Sequence, residues 1–178
     1  MRSSLSFVVG VAGLMTLPAC PLLDASADVQ ETCISYPGVQ VPAMPASAHM
    51  VDQSFTVGNL DSFKTLADQG FTLAFAKGTV TATSGISDFT FVTSAQLSVA
   101  SGDPSSTLPT LDVFDCDGCT TSGSALTIDA SSQTDAAPYV ETGSLVVSVV
   151  LAGTPPAVAW SMDVDVCMTG QASYQLGD

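Results

Sequence analysis

Apolar and polar residues alternate at a period of two over most of this chain. That spacing puts one side of an extended backbone against a core and the other toward water, so the chain must build sheets. The clearest run is Phe89 to Ala100. Phe89, Phe91, Ala95, Leu97 and Val99 share a face with Thr93; Thr90, Ser94, Gln96 and Ser98 take the other, and Val92 and Ala100 break the pattern. In Val158 to Met168, Val158, Trp160, Met162, Val164, Val166 and Met168 point one way. Ala159, Ser161, Asp163, Asp165 and Cys167 point the other. Leu145 to Leu151 places Val147 and Val149 inward, with Val146 and Val150 suggesting burial on both faces.

Less regular strand candidates are Val29 to Tyr36, Ser54 to Val57, Phe71 to Thr83, Leu111 to Asp115 and Ala125 to Ala130. Turn chemistry separates them, as at Pro37-Gly38, Ser84-Gly85, Asp117-Gly118 and Gly153-Thr154-Pro155-Pro156. One short helix is expected: Asn59 as its cap, Leu60, Phe63, Leu66 and Ala67 on one face, Gly70 at its end. Seven to nine short strands with so little helix predict an all-β fold, an antiparallel two-sheet sandwich of immunoglobulin-like architecture. The Cys–Trp–Cys spacing of true immunoglobulin domains is absent, so the expectation covers architecture only.

Charge narrows the partners. The chain has 178 residues, with 3 Lys+Arg against 17 Asp+Glu. Arg2 is the single arginine, and Lys64 and Lys77 are the only lysines. Two lysines cannot form the basic stripe that neutralises phosphates, which excludes a nucleic-acid partner. The same deficit opposes charge-driven docking on anionic lipid. Cationic partners and divalent ions remain compatible.

The first twenty residues read as an address. Met1-Arg2-Ser3-Ser4 is short and positive, and Leu5 to Leu17 is an apolar run of thirteen. A bilayer-spanning helix needs about 20 apolar residues, so this run has signal-peptide proportions. Leu17-Pro18-Ala19-Cys20 follows. Here the sequence resembles bacterial lipoproteins, whose lipobox sets an aliphatic residue at −3, small residues before the cut and Cys at +1. Leu17, Ala19 and Cys20 match; Pro18 is a less common choice. The resemblance implies a thioether lipid on Cys20, cleavage before it, and two or three acyl chains holding the protein to membrane lipid. Residues 1–19 are then the signal peptide, 20–28 a lipidated tether and 29–178 one β-sandwich domain. With Arg2 removed, two lysines face seventeen acids, a charge of −15.

Setting Cys20 aside leaves four cysteines, an even number suited to an oxidising compartment. Cys116-Asp117-Gly118-Cys119 is a CxxC. A redox centre needs its first Cys at a helix N-terminus, but Thr120-Thr121-Ser122-Gly123-Ser124 does not read as helix. A zinc site needs two further ligands at matching spacing, and His49 is the only histidine. The favoured reading is a small disulfide stapling a turn. Cys33 and Cys167 then pair by elimination, joining neighbouring strands or clamping an edge. Three connectivities remain formally open.

Asp112, Asp115 and Asp117 crowd one strand end, and Asp163 and Asp165 share a strand face. The first set is a candidate Ca²⁺ site, since Ca²⁺ takes six to eight oxygens; no EF-hand pattern accompanies it, and solvated surface acid is the favoured alternative. There is no GxSxG, HExxH, Walker lysine or GxGxxG. His49 reads as a surface or turn residue and Trp160 as core. The expected protein is an envelope lipoprotein of the outer membrane, on its periplasmic or surface side. Its sandwich binds or scaffolds an envelope protein or glycan without catalysis. A Ca²⁺-dependent ligand- or glycan-binding module is the alternative, and an envelope hydrolase a third class.

Overall fold

The computed structural model describes residues 25–119, 121–131 and 134–174. The signal segment, Cys20 and the first part of the tether lie outside the described residues. Nine strands and two short helices are present among those described: β1 Ala25–Val41, β2 Met50–Val57, α1 Asp61–Asp68, β3 Thr72–Ser84, β4 Val92–Ser101, β5 Leu111–Asp117, β6 Thr121–Ser122, β7 Ala125–Asp129, α2 Ala137–Val140, β8 Leu145–Gly153 and β9 Trp160–Tyr174. β1 starts at Ala25, so its ladder takes in residues 25–28, which the sequence reading placed in the tether.

The strands form two antiparallel sheets, ordered β1-β9-β3-β7-β6 and β2-β8-β4-β5. The expected two-sheet sandwich is therefore present. Its order is that of a jelly roll. The first four strands alternate between sheets, and each pairs with a later strand: β1 with β9, β2 with β8, β3 with β7, β4 with β5. The chain is one long hairpin, rolled up, with its tip between β4 and β5.

The alternating apolar faces meet between the sheets. Trp160, Met162, Val164, Val166 and Met168 of β9 face Leu145, Val147, Val149 and Leu151 of β8, with Leu73, Phe75, Leu97, Val99 and Phe114 filling around them. Val92, which breaks the period-two pattern, is buried, whereas Thr93 is exposed. A bulge between Val92 and Ser94 shifts the phase there by one residue, which turns Val92 inward and Thr93 outward. Val146 and Val150 are half-buried on the outer face rather than enclosed. Val158 precedes the β9 ladder and is 51% exposed.

The two helices sit at the Ala25 end. α1 forms as expected, but Asn59 does not cap it; its φ is +62° and Leu60 occupies the cap position without a side-chain bond. Its C-terminus is a Schellman turn: Gly70 N–H donates to Ala67 O and Phe71 N–H to Leu66 O, with Gly70 at φ +83°. The second helix, α2, goes beyond the single helix expected. It is one turn, opened by Pro138 and by the Asp135 carboxylate accepting from Ala137 N–H. Four residues are too few to show a helical period.

Candidate functional site

Both expected disulfides are present. Cys33 and Cys167 are direct cross-strand partners on β1 and β9, and they close a sequence separation of 134. Cys116–Cys119 staples the turn leaving β5. Lys77, on the far side of β9, reaches across to Glu31 of β1 at 2.5 Å, so an ion pair spans the same neighbourhood as the Cys33–Cys167 bridge. Glu31, Cys33 and Cys167 are the one group among the described residues whose ligand atoms gather within 4.8 Å. Both sulfurs are in the disulfide, so they are not free thiolates for a metal.

Asp112, Asp115 and Asp117 lie exposed along β5 and do not gather as such a group. Asp115 and Asp117 instead border a recess of about 230 Å³ on the outer face of the second sheet. Asp163 and Asp165 have structural work. Gly38 N–H donates to the Asp163 carboxylate at 2.8 Å, and Ser35 Oγ–H donates to that of Asp165, which ties the edge strand β1 to β9. His49 is exposed, and its carbonyl accepts from Gly153 N–H. Trp160 is core, 2% exposed, with its indole Nε1 unpartnered.

A roomier cavity than the recess beside β5 is one that sequence reading missed. It is an open cleft of about 740 Å³ between the loop joining β3 to β4 and the loop joining β8 to β9. The first loop contributes Gly85, Ile86, Ser87, Asp88, Thr90 and Phe91; the second contributes Thr154, Pro156 and Val158. Two glycines allow these loops to meet backbone to backbone. At Gly85, φ is +80° and a Cβ would collide with Ala159 O; at Gly153, φ is +146° and a Cβ would collide with Phe91 O. Thr154 N–H donates to Phe91 O across the join.

Asp88 organises the first loop. Its Oδ1 accepts from Thr90 Oγ1–H at 2.6 Å and Thr90 N–H at 3.1 Å, and its Oδ2 accepts from Ser87 Oγ–H at 2.9 Å. These bonds hold its carboxyl below the ordinary value of 3.8, chiefly through the Thr90 hydroxyl, then the Thr90 N–H and Ser87. The Phe91 ring lines the cleft and rests edge-on against Trp160, centroids 6.0 Å apart; Phe89 does the same from below at 5.9 Å. An aromatic cluster thus supports the cleft. The Ser-Asp-x-Thr spacing at 87–90 and the two glycine turns were the available sequence signals. Neither says that two loops so far apart in sequence meet.

No protein-family model matches the chain, and no curated protein sequence does. Among solved structures, it is similar to that of Cocksfoot mottle virus, at 13% identity over 85% of this chain and 97% of that one, with a TM-score of 0.36. A semi-empty virus-like particle of the Macrobrachium rosenbergii nodavirus is similar at 11% identity, over 98% of this chain and 97% of that one, with a TM-score of 0.30. A CBM4 structure is similar at 16% identity, over 80% of this chain and 94% of that one, with a TM-score of 0.24. At these scores none of them bears on what this chain binds or does.

Proposed function

We propose that the protein is an exported lipoprotein, anchored to its membrane through acyl chains on Cys20, whose sandwich is a non-catalytic binding domain. The observation that carries this reading is the placement of its two ends. β1 runs from Ala25, paired with Tyr174, to Val41, paired with Trp160. The cleft lies at the Trp160 end. At ~3.3 Å per residue, the 17 residues of β1 separate the two ends by roughly 50 Å. Residues 20–24 reach at most roughly 17 Å when extended, so the anchor holds the Ala25 end close to the lipid. The cleft then points away from the membrane, where a ligand or another envelope component meets it.

The chemistry of the lining favours binding over catalysis. Asp88 is the titratable group of the lining, and it is held ionised by bonds that also fix its loop. A general acid or base needs a pKa near the working pH instead. The test is photo-crosslinking in intact cells from Val158, at the cleft, and from Ser62, on α1 at the opposite end. A protein or glycan adduct specific to Val158 is expected. Identical adducts from both positions overturn the reading.

A further inference from the structure

We infer that the cleft takes an organic cation, an alkylammonium or guanidinium group carried on an apolar stem. This rests on the cleft being the binding site proposed above, and it names what enters. The hydroxyl protons of Ser87 and Thr90 are both committed to Asp88. What those side chains still offer the cleft is lone pairs, as does the carboxylate itself. An incoming group must therefore supply the donors, and an ammonium or guanidinium supplies only donors.

Charge and shape select the same group. Asp88 places a full negative charge at the cleft, and the surrounding chain carries seventeen acids against three basic residues. That field attracts cations and opposes anions. Phe91 offers a half-buried ring, and a cation near an aromatic face is stabilised by the ring quadrupole. Ile86, Pro156 and Val158 supply apolar wall for the methylenes of a stem. A divalent metal fits less well, because a single carboxylate and the hydroxyls beside it fall short of the six to eight oxygens such an ion takes. The glycine contacts and the Thr154–Phe91 bond fix the loops in advance, which lowers the ordering cost of binding.

Two sources carry this chemistry: a free amine, or a Lys or Arg side chain of a partner protein. The experiment titrates the purified, detergent-extracted protein with Nα-acetyl-lysine amide, its arginine counterpart, cadaverine and a Gly-Lys-Gly peptide. Trp160, the chain's only tryptophan, is the fluorescent reporter, since its ring touches Phe91. Nα-acetyl-norleucine amide and glucose are the uncharged controls. The cationic probes should bind at millimolar concentration or below and weaken as salt rises, while the controls produce no change.

Asp88→Asn should weaken binding about tenfold, the loss expected from one charge-assisted bond. Because Asp88 also orders its loop, Val158→Lys provides a second variant. It sets a like charge at an exposed rim position and should weaken the lysine probe by a similar factor, with circular dichroism unchanged. Tighter binding of the peptide than of cadaverine assigns a partner's side chain; the reverse assigns a free amine. Equal response to norleucine amide or glucose, no response to any cation, or full binding by Val158→Lys overturns the inference. If Val158 nevertheless crosslinks a specific partner in cells, the binding reading stands and only the ligand class falls.

Discussion

The two ends of this sandwich are closed in different ways. At the Ala25 end, α1 and α2 pack across the opening, and Leu60, Phe63, Ala136, Tyr139 and Val140 extend the core into it. Tyr139 fixes α2 further by donating to Pro109 O at 2.9 Å. The far end carries no helix among the described residues. Phe89, Phe91 and Trp160 plug it, and the loops above them leave a cleft lined by half-exposed groups. Helices bury an apolar stripe and finish a core. Loops held by glycines and a carboxylate finish it while leaving a surface on which another molecule can rest.

Four variants sharpen that contrast. The largest loss should come from Cys33→Ala with Cys167→Ala, which belongs to neither end. Opening a loop of 134 residues removes about 5 kcal/mol in the chain-entropy model, and both ends should melt together in urea. Next is Phe63→Ala in the buried face of α1, expected to cost about 3–5 kcal/mol as a core truncation while cleft-end crosslinking persists. Gly85→Ala reverses this pattern. It should cost about 1–3 kcal/mol from strain at positive φ and the clash with the Ala159 carbonyl, and it should shift Trp160 fluorescence before unfolding.

The smallest effect belongs to Asp88→Asn and appears in acid. The folded carboxyl titrates below its ordinary value of 3.8. Its contribution is therefore present above that value and is lost as pH falls through the folded pKa. The asparagine side chain of the variant does not titrate. The variant's stability should therefore fall less steeply below about pH 4 than that of the natural chain, as read from melting temperatures across an acid series.

The period-two pattern made the sandwich legible because alternation reports which side of a strand is buried. It does not report which strand lies alongside. Val147 and Val164 look alike in sequence, yet one sits on β8 and the other on β9, in different sheets. The jelly-roll order was therefore out of reach. So was the phase change at Val92, which needs a bulge that no residue type announces. Cys33 and Cys167 were legible by elimination, and the ladder then set them directly opposite each other. For Asp112, Asp115 and Asp117 spacing gave their nearness in sequence but not their directions: all three lie exposed along one edge strand and do not gather as a ligand group. The cleft was illegible for a different reason. Gly85 and Gly153 each read as an ordinary turn, and only the fold brings them to opposite sides of one opening.

The claim that one end is held at a membrane while the other binds depends first on Cys20. The direct measurement is the intact mass of the protein extracted from native membranes, before and after reduction. The expected result is a chain that begins at Cys20, carries acyl groups, and gains the mass of four hydrogen atoms on reduction as two disulfides open. An unlipidated chain, cut elsewhere and recovered from the soluble fraction, would contradict it.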